Sequence, residues 1–279
     1  MLRKLPHRAG HFHPWFHSFL SVKKIILIYA IPFILFFNGC AFFSSGQKPR
    51  LLFTEYDIDN IARDIRLQED IVSEFYSTGT LTINGWIVDT SVDIFFAGKK
   101  EPLMLKMEIS HSWGKPLFYF LIKEDTLEIR DFIEKKQYIG KFTPDSLSRF
   151  LPNMDCSPDI IWSFLRGYPH FDSYDRIHEG SPGVLTLTDR KKNIGKITFS
   201  QGEGIIKAVS SPPHFLTIKF SDFRKSKEIN YAEKSIVEDI KGKKDLILKR
   251  KKVIFNKDIP REVFTLKNQP YFEELNLDD

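Results

Sequence analysis

The chain has 279 residues, 42% of them apolar and 28% charged, with a formal net charge of +5. That excess is confined to the N-terminus: Arg3, Lys4, Arg8, Lys23 and Lys24 precede Cys40 with no acidic residue among them. The rest of the chain holds 36 basic against 36 acidic residues, so the high isoelectric point is no argument for nucleic-acid binding.

Residues 1–21 carry His7, His11, His13 and His17 with Pro14 and Trp15 among them. A metal site needs a shell held by a fold, and this stretch precedes any. We read it as a misassigned start, with initiation at Val22. Lys23-Lys24 then opens a basic patch, Ile25 to Phe37 is an almost unbroken apolar run, and Asn38-Gly39-Cys40 closes it. A basic n-region, an apolar h-region too short to span a bilayer and a small residue at the cut make a secretory signal. A cysteine just after the cut resembles the bacterial lipobox. The resemblance implies a leader over 1–39 and a diacylated thiol on Cys40. Other readings of Cys40 are an uncleaved anchor or a buried cysteine. With Cys40 lipidated, Cys156 has no disulfide partner and reads as core filler.

Residues 40–56 form the lipidated cysteine and a short tether, marked by Ser44-Ser45-Gly46 and Pro49. A domain over 57–279 follows. Ile58, Ile61, Ile65, Val72 and Phe75 recur at helical spacing, with Asp57 as N-cap and Gly79 just past the end. From Thr80 the period is two: Leu81 and Ile83; Val92, Ile94 and Phe96; Leu103, Leu105, Met107 and Ile109. Leu117 to Ile122 is apolar on both faces and predicts cover on both sides. Leu127–Phe132 and Gln137–Phe142 complete a meander of about six strands.

Two short helices are predicted next, from Thr143-Pro144-Asp145 and from Ser157-Pro158-Asp159, the second closed by Gly167 and Pro169. Strands resume at Val184–Thr188, Ile194–Phe199, Ile205–Val209 and Phe215–Phe220. Ser235–Ile240, Asp245–Phe255 and a last segment at Glu262–Leu266 end the chain. Antiparallel runs with helices before and between them describe an α+β domain, in which a curved sheet needs its concave face covered.

This order of parts resembles the LolA/LolB superfamily of lipoprotein carriers and receptors. Two short stretches carry the resemblance to the receptor branch. One is the loop Ser110-His111-Ser112-Trp113-Gly114, with Trp113 at an apolar tip. The other is the turn Phe164-Leu165-Arg166-Gly167-Tyr168-Pro169, where Phe164 replaces the usual tryptophan and Trp162 stands nearby. Asn256-Lys257-Asp258-Ile259-Pro260 is more similar to the carrier side. The resemblance implies an open half β-barrel of about eleven strands with helices covering the concave face. It also implies a cavity for acyl chains, with Leu103, Leu105, Met107, Phe118, Phe120, Phe164 and Leu165 as its lining. A solid core of the same residues is the other reading. The implied partners are acyl chains of lipoproteins or lipids, the membrane through the anchor, and a periplasmic carrier protein. Ala41 stands where an Asp would mark inner-membrane retention, which favours the periplasmic face of the outer membrane.

Lipid transfer calls for no catalytic group, cofactor or metal, and no Gly-x-Ser-x-Gly elbow or P-loop occurs. Trp113 either dips into headgroups or folds back on the sheet. Lys249-Arg250-Lys251-Lys252 is either a solvated strand face or a headgroup contact. An accessory outer-membrane lipoprotein with a filled barrel, binding a protein partner, is the alternative function.

Overall fold

The computed structural model describes residues 53–84, 90–143, 146–147, 149–151, 157–170, 174–189, 192–200, 205–211, 216–238, 244–266 and 271–277. The chain divides into two units, Met1–Arg50 and Leu51–Asp279. Cys40, Cys156 and the proposed leader lie outside the described residues.

Helix α1 (Glu55–Asp70) starts three residues before the expected position, because Thr54 and not Asp57 is the N-cap. Its Oγ1 accepts the Asp57 N–H at 3.2 Å, and Asp57 Oδ2 accepts the Thr54 N–H at 3.0 Å. Asp57 is thus the third residue of a capping box. The Thr54 side chain and backbone hold its carboxyl below the usual range. The helix ends at Asp70, so Val72 and Phe75 lie beyond it. Asn256 fixes that ending: it accepts the Ser73 N–H at 3.0 Å and donates to Ile71 O.

Six strands follow as successive hairpins: β1 (Glu74–Ile83), β2 (Thr90–Lys99), β3 (Met104–Ser110), β4 (Pro116–Lys123), β5 (Thr126–Asp131) and β6 (Lys136–Lys141). After helix α2 (Pro158–Arg166) come β7 (Arg176–Ser181), β8 (Val184–Asp189), β9 (Lys192–Ser200), β10 (Ile205–Ser211), β11 (Leu216–Ser226), β12 (Ile229–Glu238) and β13 (Lys244–Phe255). A 3-10 turn at Arg261–Phe264 and β14 (Glu273–Asn276) finish the chain. The helix predicted from Thr143 falls partly outside the described residues.

These strands make one sheet in the order β14-β6-β5-β4-β3-β2-β1-β13-β12-β11-β10-β9-β8-β7. The two meanders meet along β1 and β13, and only β14 on β6 is parallel. Because β7 and β14 end the order without pairing with each other, the sheet is an open, curved half-barrel. Fourteen described strands replace the roughly eleven implied by the resemblance. Two of them, β7 (RIHEGS) and β14 (EELN), lack the apolar alternation that reveals a strand.

Gly79 sits inside β1 instead of capping a helix. The β1–β13 register shifts between Thr78 and Gly79, and a Cβ on Gly79 would lie 2.4 Å from Lys249 O. The glycine permits close strand approach at a bulge.

Period-two alternation sends Leu81, Ile94, Phe96, Met107, Phe120 and Ile129 to one face, where they form the main core with both helices. Each such fully buried side chain contributes roughly 1.5–3 kcal/mol. The opposite face of β2 to β4 carries a smaller cluster, Ala97 and Leu121 under Ile259 and Phe264. The C-terminal segment therefore covers part of the outer face, which explains why Leu117 to Ile122 is apolar on both sides.

Candidate functional site: the helix-covered concave face

Helix α2 lies against β12 and β2 on the concave face. Pro158 occupies its first turn, Asp159 complements its N-terminus, and Gly167 ends it at φ +81° with an N–H to Ser163 O bond of 3.0 Å. Its apolar side chains point down. Trp162 packs edge-on against Phe75 with centroids 4.9 Å apart, and Phe164 and Leu165 are buried beside it.

Six of the seven residues implied as lining are brought together here: Leu105 and Met107 on β3, Phe118 and Phe120 on β4, Phe164 and Leu165 on α2. All are between 0 and 8% exposed and belong to one apolar cluster. Leu103 is partly buried and packs against that cluster. Phe150 adds an edge-on ring to Phe118 and Phe120, with centroids 6.4 and 6.3 Å away. Two hollows are lined by other residues. One of ≈ 420 Å³ on the outer face is bordered by Asp93, Phe95, Glu108, Tyr119 and Lys251. The other, of ≈ 480 Å³, is bordered by Ile58, Ala62, Arg66, Tyr174 and His178.

Trp113 stands at the tip of the β3–β4 hairpin, 72% exposed, with its ring stacked on His111 at 4.1 Å. The Gly114 N–H closes the turn on His111 O at 2.8 Å.

The basic run on β13 divides by face. Lys249, Lys251 and Lys252 are exposed, and Lys251 pairs with Asp93 at 3.0 Å. Arg250 points inward and is 6% exposed. Its Nε donates to Leu165 O at 2.9 Å and its Nη2 to Phe164 O; Nη1 donates to Ala232 O at 2.8 Å and Ser235 Oγ at 3.0 Å. The guanidinium thus caps the carbonyl end of α2, where a cation is favoured. It also fills a gap in the sheet. The β12–β13 ladder begins only at Lys234 opposite Lys249, and nearer the start of β12 the Ala232 N–H donates to Gly167 O at 2.7 Å. The α2 terminus takes the place of a strand partner there.

Arg166, the last residue of α2, is 2% exposed. Its Nη2 donates to Gln68 O, and its guanidinium carbon lies 4.8 Å from the Tyr168 ring centroid. Burial pulls Arg166 down to about 10 against the opposing influence of Tyr168 and Glu69. Burial, then the charge of Arg166, pulls Arg250 down to about 9. Burial raises Tyr168 to about 12. His170 stands between Glu69 (3.7 Å from Nδ1) and Asp159 (3.6 Å from Nε2), bridging the two helices.

Neither arginine stands out by residue type, since one sits in a basic run and the other in a helix-ending signature. Leu246, Leu248 and Arg250 share the inward parity, but parity alone does not tell a buried arginine from one that reaches back to solvent. Among the described residues no group of three His, Cys, Asp or Glu side chains could hold a metal, and no helix is long and apolar enough to cross a membrane.

No family model matches the sequence, and no curated protein matches it. Solved structures do. A DUF1329 family protein from Desulfovibrio piger is similar at TM-score 0.53 and 9% identity, over 75% of this chain and 97% of that one. A domain described as an outer membrane lipoprotein-sorting protein from Vibrio parahaemolyticus gives 0.49 at 11% identity, over 74% and 94%. A LolA superfamily protein from Nitrosomonas europaea gives 0.48 at 13%, over 74% and 97%. The likeness to the Desulfovibrio protein is one of fold.

Proposed function

We propose that this chain is a lipid-anchored envelope lipoprotein that takes acyl chains, or acylated lipoproteins, onto its concave face and assists their localisation to the outer membrane. The observation that carries the reading is the cover on that face. It is a short helix and not a second sheet, tied to the strands at its C-terminal end by Arg250 and by the Ala232 N–H on Gly167 O, and on this proposal it lifts from the apolar face to admit the chain. Each methylene sheltered there contributes about 0.8 kcal/mol, so part of one chain suffices for binding. Acylation of Cys40 and the outer-membrane location belong to the same proposal, as does delivery by a periplasmic carrier protein. No step of it needs catalysis.

Native mass spectrometry of the gently purified full chain tests it. Co-purifying lipid, with a diacyl-bearing mass on Cys40, is the expected result; a protein that carries no lipid and takes up none on incubation with phospholipid vesicles overturns it. Trp113, exposed at its hairpin tip, is proposed to contact the membrane. Trp113→Ala is expected to leave thermal stability unchanged and to weaken vesicle flotation of the delipidated chain several-fold, because an indole favours the membrane interface. Unchanged flotation removes Trp113 from the site.

The second reading, a filled barrel whose surface binds a protein partner, is favoured by the near-complete burial of the six lining residues. Lipid-free protein that remains fully stable is its expected result in the same experiment.

A further inference from the structure

The end of α2 holds an unusual charge. Buried cations in proteins are ordinarily paired, and buried N–H donors ordinarily find acceptors. Arg250 spends its donors on four acceptors. Arg166 does not: beyond the single bond to Gln68 O, its Nε and Nη1 are buried without a hydrogen-bond partner among the described residues. The Tyr168 ring face attracts the cation but offers no acceptor in the plane of the guanidinium. Arg250 packs against Gly167, the residue after Arg166, and the charge of Arg166 reaches it. Glu69 is the carboxylate whose charge reaches Arg166, and its Oε1 is shared with His170 at 3.7 Å.

Two desolvated guanidinia therefore stand at the end of α2, next to Phe164 and Leu165 of the apolar core, and the Glu69 charge reaches Arg166. We infer that Arg166 is a headgroup site for an acidic amphiphile, with an oxyanion on its Nε and Nη1 donors and the acyl chain running along the concave face. The inference rests on the acyl-binding reading above and adds a polarity to it: the chain enters tail first and its charged end stops at Arg166. Carboxylate and phosphate both supply the needed acceptors, and guanidinium takes either in its plane. A neutral alcohol of the same length supplies one weaker acceptor and no charge.

The experiment compares palmitate with cetyl alcohol on the delipidated full chain, by competition with a fluorescent fatty-acyl probe. Palmitate is expected to bind at least about tenfold tighter, the size of one charge-assisted hydrogen bond. Arg166→Met should bring the two to equal affinity, by a loss that falls mainly on palmitate. Arg166→Lys keeps a charge and should retain part of the preference, which guards against a folding defect in the methionine variant. Phosphatidic acid against diacylglycerol, run in parallel, tells a phosphate head from a carboxylate head by which pair shows the larger Arg166-dependent ratio. Equal binding of acid and alcohol in the wild type, or a preference that survives Arg166→Met, overturns the inference and leaves the acyl-binding reading standing. Failure of all four probes to bind overturns both.

Discussion

Arg250→Ala is expected to lower the unfolding free energy by about 3 kcal/mol, for two backbone carbonyls of α2 and one of β12 lose their donor inside the core. Part of that cost is offset, because the substitution also removes a buried charge that burial and Arg166 both disfavour. The acceptors decide the sign: Phe164 O, Leu165 O and Ala232 O all take their bond from this one buried guanidinium. Arg250→Lys should recover little, since one ammonium cannot reach the helix end and β12 together. Urea unfolding measures the effect; a Tm lower by roughly 10 °C is the thermal counterpart for a domain of this size. A loss below about 1 kcal/mol would mean that the helix end finds other donors.

The second large effect is expected at Gly167. Its φ of +81° strains any side chain, and a Cβ would lie 2.8 Å from Ala232 O and 2.9 Å from Arg250 Cζ. Left-handed backbone costs about 1–2 kcal/mol for an ordinary residue, and the clash adds to it, so Gly167→Ala should cost about 3 kcal/mol. Gly114 is the control. It has nearly the same φ, +84°, at the Trp113 hairpin, yet nothing lies within 4 Å of its would-be Cβ. Gly114→Ala should therefore cost only the strain, about 1 kcal/mol. Equal losses at the two glycines in urea unfolding would show that backbone strain alone, and not the approach of β12 and Arg250, sets the requirement at Gly167.

The sequence made the fold class legible where periodicity was clean. The strands through Leu81, Val92, Leu105 and Leu127 lie where alternation put them, and α2 runs from Pro158 to its glycine stop. Legibility failed where two signals overlapped. Val72 and Phe75 continue the helical spacing of α1 by coincidence, and the chain turns there because Asn256, distant in sequence, ties down Ile71 and Ser73. Gly79 looked like a helix stop because a bulge glycine and a cap glycine are the same letter. Strands β7 and β14 are polar, one at each end of the sheet, and carry no alternation to read. Six of the residues expected to line the concave face could be grouped in advance, and they do share one apolar cluster, because apolar type and strand parity survive without the fold. The arginines could not, since their meaning comes from burial, and burial of a long cation depends on which backbone carbonyls surround it.

The junction of β1 with β13 sets the order in which the domain can be completed. Within each meander, neighbouring strands are neighbours in sequence, so their ladders can zip as each hairpin emerges. Phe75 opposite Phe255 is different, because almost the whole domain lies between them. Closing so long a loop is the slow, high-contact-order step of folding. Until the final strands arrive, β1 is paired with β2 on one side only and leaves its other edge open, and that interval is when the domain most needs an escort against aggregation.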